Sequence, residues 1–162
     1  MSQGSYLPAI KEIRDLLADL LGRDIDLSPT TPLAPSSKNP TSVGVYVDDA
    51  LQVTAVVVCD LAFSAYVAAA IGLVPPPTAQ EAVEEGTLSL ALRENLYEVL
   101  NIAASLFNVG EHTHLRLYDL HAAGDPLPGS VLVQALTLGR REDLEVEVGG
   151  YGRGRLSVVL VA

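Results

Sequence analysis

Four polar residues recur at steps of four, three and four: Glu94, Glu98, Asn101 and Ser105. At about 100° per residue their side chains fall within roughly 60° of one another, a single stripe along a helix. Leu92, Leu96, Val99, Ala103 and Leu106 occupy the opposite face. Such a helix buries its apolar side and presents the acid–amide stripe to water. A carboxylate and a carboxamide three residues apart on rigid backbone could grip a cation and orient a water molecule. The competing reading is a solvated helix face that carries Glu and Asn for solubility alone.

The elements that must hold this stripe can be read on either side of it. Leu7, Ile10, Ile13, Leu16, Leu17, Leu20 and Leu21 have helical spacing, so a helix is expected over about residues 6–21, with Gly22 as its stop. Residues 28–41 hold Pro29, Pro32, Pro35 and Pro40 among Ser and Thr and read as a proline-rich loop. Val43 to Val47 and Leu51 to Cys59 read as two strands joined at Asp48-Asp49. Asp60 is placed to cap a helix running to about Leu73, which Pro75-Pro76-Pro77 ends. An acidic connector over residues 80–86 is expected next, then the striped helix from about Thr87 to Phe107. Beyond it, His114 to Leu120, Ser130 to Leu138, Leu144 to Val148 and Leu156 to Val161 read as strands. The order predicts one α+β domain over residues 1–162, with two long helices packed on a largely antiparallel sheet.

Composition removes several function classes. The chain has 162 residues, 49% of them hydrophobic, and a formal net charge of −10. With a mean hydropathy of +0.31 it should bury a substantial core. The negative charge opposes nonspecific nucleic-acid binding. Cys59 is the only cysteine, so an internal disulfide is impossible and a reducing cytoplasm fits. It lies in an apolar run and reads as a buried small hydrophobe. Met1 to Tyr6 shows no basic region followed by an apolar core, so no signal peptide is expected. The apolar stretch Ala50 to Val74 is interrupted by Gln52 and Asp60 and reads as a strand followed by a helix, not a membrane span.

Other candidates for chemistry are weaker. His112 and His114 would share a face on a strand, as two metal ligands do, but no third ligand stands at a suitable spacing. The glycine-rich run 149–154 lacks the Gly-Lys-Ser/Thr ending of a phosphate loop and reads as a hairpin turn. There is no G-x-S-x-G elbow and no dinucleotide fingerprint.

Taken in order, the pieces resemble the CheC/CheX/FliY family of bacterial chemotaxis phosphatases, and within it the single-site CheX-like members. The resemblance runs from about Val43 to the C-terminus, and the N-terminal helix also fits. Its signature is Ser or Asp, three residues, Glu, two residues, Asn, and a later proline. Here Glu94-Asn95-Leu96-Tyr97-Glu98-Val99-Leu100-Asn101 carries the core, and Pro126 follows. Glu94 departs from the pattern, standing where the family prefers Ser or Asp. The Asp60 to Tyr66 segment sits where the family places its first core helix.

The resemblance implies a CheC/CheX-like fold and removal of the phosphoryl group from the aspartate of a response-regulator receiver domain. It implies that Asn101 aligns the attacking water and that Glu98 pairs with a lysine of the receiver, with Glu94 and Ser105 contributing to binding. No cofactor would be held by this chain, because Mg²⁺ belongs to the receiver. A homodimer formed through β-structure is also implied. Two-site relatives repeat the motif on the other long helix; residues 61–73 contain neither Glu nor Asn, so at most one site is expected. The alternative is a non-catalytic CheX-like adaptor that binds a response regulator or another signalling subunit through the same stripe.

Overall fold

The computed structural model describes residues 4–161. Six strands form one sheet: β1 (Ile25–Pro29), β2 (Thr41–Val47), β3 (Val53–Asp60), β4 (Arg116–His121), β5 (Arg141–Val148) and β6 (Gly152–Leu160). Their spatial order is β1-β5-β6-β3-β2-β4, and every pairing is antiparallel. Five helices accompany the sheet: α1 (Ile10–Leu21), α2 (Leu61–Ile71), α3 (Pro76–Glu85), α4 (Leu90–Ala103) and α5 (Gly129–Ala135). The fold is therefore α+β, as the order of elements in the sequence predicts.

Alternation along the strands divides the core in two. Ala55, Val57 and Cys59 of β3 face one side with Tyr46, Leu156, Val158 and Leu160, where they meet α1, α2 and α4. Val56 and Val58 face the other side with Val43, Val45 and Val159, under Leu33, Val131 and Ala135. Because both faces are covered, β2 is buried along its whole length and β3 at all but its ends. This explains why the two strands read as continuous apolar runs instead of alternating ones.

The predicted capping residue is in place. Asp60 Oδ1 accepts from the Phe63 N–H at 2.8 Å and starts α2. Residues 63–70 of α2 are all buried, so this helix is an internal strut with no exposed polar stripe. Cys59 is fully buried, and burial pushes its thiol well above the ordinary range.

Three expectations are corrected. The segment 130–138 does not form a strand; α5 occupies most of it, with Val131 and Ala135, one turn apart, turned onto the sheet and Val133 exposed. A short apolar run of this kind has no periodicity that separates a strand from a buried helix. The connector at 80–86 is the second half of α3. Pro76 and Pro77 end α2 but also open α3, since an N-terminal proline gives up only an N–H that would have no helical partner. The proline-rich loop is preceded by a strand, β1, whose last residues overlap the expected loop and which pairs with β5 at the sheet edge. No helix among the described residues is long and apolar enough to cross a membrane.

Candidate functional site

The striped helix is α4. Ser89 Oγ accepts from the Leu92 N–H at 3.2 Å and fixes its start. Leu92, Leu96, Val99, Leu100 and Ala103 are buried, whereas Glu94, Glu98 and Asn101 are exposed along the opposite side. Ser105 is exposed as well but lies beyond the α-helix, in a single 3₁₀ turn over Ala104–Leu106. A 3₁₀ turn advances about 120° per residue instead of 100°, so Ser105 is turned by about 20° for each such residue from its α-helical place on the stripe. Glu94, Glu98 and Asn101 thus share one face of the α-helix, and Ser105 is exposed in the turn that follows it.

Two side chains beside the stripe hold α4 in place. Arg93 forms a forked ion pair with Asp125, at 2.5 and 2.8 Å, and its Nε donates to the Leu88 carbonyl at 3.2 Å. This ties the first turns of the helix to the connection between β4 and α5. Asn95 Nδ2 donates to the Ala68 carbonyl at 3.0 Å and ties α4 to α2. Sequence spacing indicates neither contact, because each partner is set by how the helices lie on the sheet.

Beside the stripe is a shallow hollow of about 270 Å³, walled by Glu94 and Tyr97 of α4 and by Asp119 and Leu120 of β4. Tyr97 and Tyr118 are large exposed aromatics on the same two elements, at 44% and 60% exposure. β4 is an edge strand, so the hollow borders an open sheet edge.

A second cavity of about 360 Å³ lies between the proline-rich segment and the β4–α5 connection. Pro35, Pro40, Pro126, Leu127 and Leu132 supply most of its apolar wall. Its one carboxylate, Asp125, is neutralised by Arg93, and the Thr41 hydroxyl is sealed there without a partner. Pro126, the later proline of the sequence signature, packs here. None of the proline-rich residues lines the hollow beside Glu94.

His112 and His114 precede β4 instead of lying on it. The His112 ring packs against Tyr6 with centroids 5.0 Å apart. Among the described residues no three His, Cys, Asp or Glu side chains are grouped to hold a metal ion.

Solved structures with this architecture exist. A chain of the FliM–SpeE complex from H. pylori matches with a TM-score of 0.59 at 10% identity, covering 93% of this chain and 80% of that one. The FliM middle domain from H. pylori matches with a TM-score of 0.55 at 10% identity, covering 93% and 83%. A chain of the CheX–CheY–BeF₃–Mg²⁺ complex from Borrelia burgdorferi matches with a TM-score of 0.50 at 13% identity, covering 90% of each chain. The chain has the CheX/FliM-type fold. At these identities the likeness is one of fold, spread over nearly the whole domain. No protein-family model matches the sequence, and neither does any curated protein. Within the CheX/FliM-type fold described here, α4 is the helix that carries both the Glu-x-x-Asn spacing and an open face.

Proposed function

We propose that this chain is a phosphatase for the phospho-aspartate of a response-regulator receiver domain, with α4 as its working surface. The observation that carries this reading is the placement of Glu98 and Asn101, one turn apart and exposed, on a helix whose other face is locked into the core. The fold supports it, because CheX, one of the proteins with this architecture, has been solved with CheY, BeF₃ and Mg²⁺. BeF₃ is a common stand-in for a phosphoryl group.

The chemistry asks little of this chain. An acyl phosphate is activated toward water, and the receiver supplies both the aspartyl phosphate and the Mg²⁺. Asn101 enters beside the phosphoryl group; its carboxamide oxygen accepts a proton of the incoming water while its NH₂ donates to a phosphoryl oxygen. The water attacks phosphorus in line, the bond to the aspartate oxygen breaks, and inorganic phosphate leaves with the carboxylate restored. Holding one water in line is a proximity effect, able to supply on the order of 7 to 11 kcal/mol at best. Glu98 pairs with a lysine of the receiver and sets the docking register, and Glu94 with the adjoining hollow extends the contact. The exposed stripe stays wet until the receiver covers it, which strengthens both contacts in the complex.

The reading is tested by charging receiver domains with acetyl phosphate and Mg²⁺ and measuring phosphate release with and without this protein. Acceleration supports the phosphatase. Tight binding to a receiver whose phosphate lifetime is unchanged would replace it with the adaptor. The implied homodimer would form at a sheet edge; β1 and β4 are the two edge strands, and sedimentation of the protein in solution tests it.

A further inference from the structure

The last α-helical turn of α4 is interrupted beside Asn101. In an unbroken α-helix the Ala104 N–H would donate to the Leu100 carbonyl. Here it donates instead to the Asn101 and Ile102 carbonyls, and the chain tightens into the 3₁₀ turn. The released Leu100 carbonyl accepts from the Tyr46 hydroxyl at 2.5 Å. Tyr46 comes from β2, is fully buried, and rests its ring against Phe107 with centroids 5.1 Å apart. Burial, with a smaller effect from Cys59, holds its phenol well above the usual tyrosine range, so it remains a donor throughout neutral pH.

The same strand makes room for the Leu100 side chain. A Cβ at Gly44 would stand 3.0 Å from Leu100 Cδ1. Gly44 and Tyr46, two residues apart on β2, share the face of the sheet turned toward α4. One admits the Leu100 side chain and the other takes its carbonyl. Together they fix the height and rotation of the peptide unit that joins Leu100 to Asn101.

We propose that Tyr46 is a positioning residue for Asn101, anchoring the Leu100 carbonyl and with it the peptide that carries the carboxamide side chain; the catalytic part of this inference rests on the phosphatase reading above. Without the phenol oxygen, Leu100 O regains the Ala104 N–H and the helix continues. Ser105 then rotates relative to Glu98 and Asn101, by about 20° for each residue that changes from 3₁₀ to α geometry, and the peptide that carries Asn101 loses its anchor on β2.

The test is Tyr46→Phe, which removes one oxygen and keeps the ring. Turnover of phosphorylated receiver is expected to fall about ten- to a hundredfold, the scale of a small misplacement of the reacting group. KM and affinity for a BeF₃-loaded receiver should stay within about twofold, because Glu98 stands before the anchored Leu100 carbonyl in the chain, in the regular part of α4. In the NMR spectrum, the Asn101 side-chain amide and the Ala104 and Ser105 backbone amides should move while Glu94 does not. Gly44→Ala, which presses on Leu100 from the same strand, should move the same resonances. If wild-type protein releases no phosphate, the phosphatase reading fails and the spectra alone judge the positioning role. Asn101 resonances unmoved in both variants, or a Tyr46→Phe enzyme with wild-type turnover, would overturn the proposal.

Discussion

Asn95 Nδ2 lies 3.0 Å from the Ala68 carbonyl, and the space it occupies is left open by Gly72. The Gly72 N–H donates to Ala70, so the Ala68 carbonyl is freed near the end of α2. Asn95 satisfies that carbonyl from α4. A Cβ at position 72 would fall 2.3 Å from Asn95 Nδ2. Gly72→Ala is therefore expected to cost about 1–3 kcal/mol, as overpacking does. Asn95→Ala should cost about 1–2 kcal/mol by orphaning the carbonyl. The double variant should be less unstable than the sum by at least about 0.5 kcal/mol, since the clash disappears with the amide. Urea denaturation of the four proteins measures the coupling; strict additivity would contradict the contact.

Leu73 ends α2 with φ of +55° and is 82% exposed. The following Val74 N–H returns to the Ala69 carbonyl at 2.8 Å, closing the helix in the pattern that normally uses glycine at the left-handed position. A leucine side chain adds strain here and buries little. Leu73→Gly should raise stability by up to about 1 kcal/mol, visible as a higher Tm.

Asp143 gives the protein an acid-sensitive element on the opposite face of the sheet. Arg141 and Asp143 have side chains only 6% and 10% exposed, paired at 2.8 Å, and Ser157 Oγ donates to the same carboxylate at 2.6 Å. Burial alone would raise the Asp143 pKa, but the hydrogen bonds from Arg141 and Ser157 outweigh it and hold the group below its ordinary value. Between the folded and unfolded values the unfolded chain binds more protons, so this contribution is complete above the unfolded value of about 3.9 and is lost as pH falls through the lower folded value. Asp60, raised chiefly by burial, acts in the opposite sense over a higher window. Asp143→Ala leaves Arg141 buried without its partner and should cost about 3 kcal/mol at pH 7. The loss should shrink as the pH is lowered through the Asp143 titration, and denaturation at several pH values checks both parts.

The β2–β3 hairpin, the Asp60 cap, the β5–β6 hairpin and the buried face of α4 were legible because each depends on local chemistry: alternation, a capping carboxylate, glycine turns and helical spacing. α3 was hidden because Pro75-Pro76-Pro77 reads as a terminator, although the same prolines start the next helix. α5 was hidden because Val131, Leu132 and Val133 suit a strand as well as a short helix lying on a sheet. At the candidate site, the exposure of Glu94, Glu98 and Asn101 follows from periodicity. The partners of Arg93, Asn95 and Leu100 are residues 32, 27 and 54 positions away. Those contacts are products of packing, and so is the 3₁₀ turn at Ser105, which helical spacing alone does not announce.

Glu98 should govern docking more than chemistry. Glu98→Arg reverses the charge presented to a receiver lysine and should weaken binding by at least about tenfold, the size of losing one charged contact in an interface. Stability should change by no more than about 0.5 kcal/mol, because the side chain is solvent-facing. Titration against a BeF₃-loaded receiver reads this directly, and unchanged affinity would remove Glu98 from the interface.

Asn101→Ala in the phosphate-release assay bears most directly on the role of α4. With wild-type protein accelerating release from a phosphorylated receiver, the variant should return the rate to that of the receiver alone. It should still bind the BeF₃-loaded receiver and keep its Tm, since Asn101 is exposed. A variant that binds and still accelerates release like the wild type would contradict the assignment of Asn101 as the residue that aligns water.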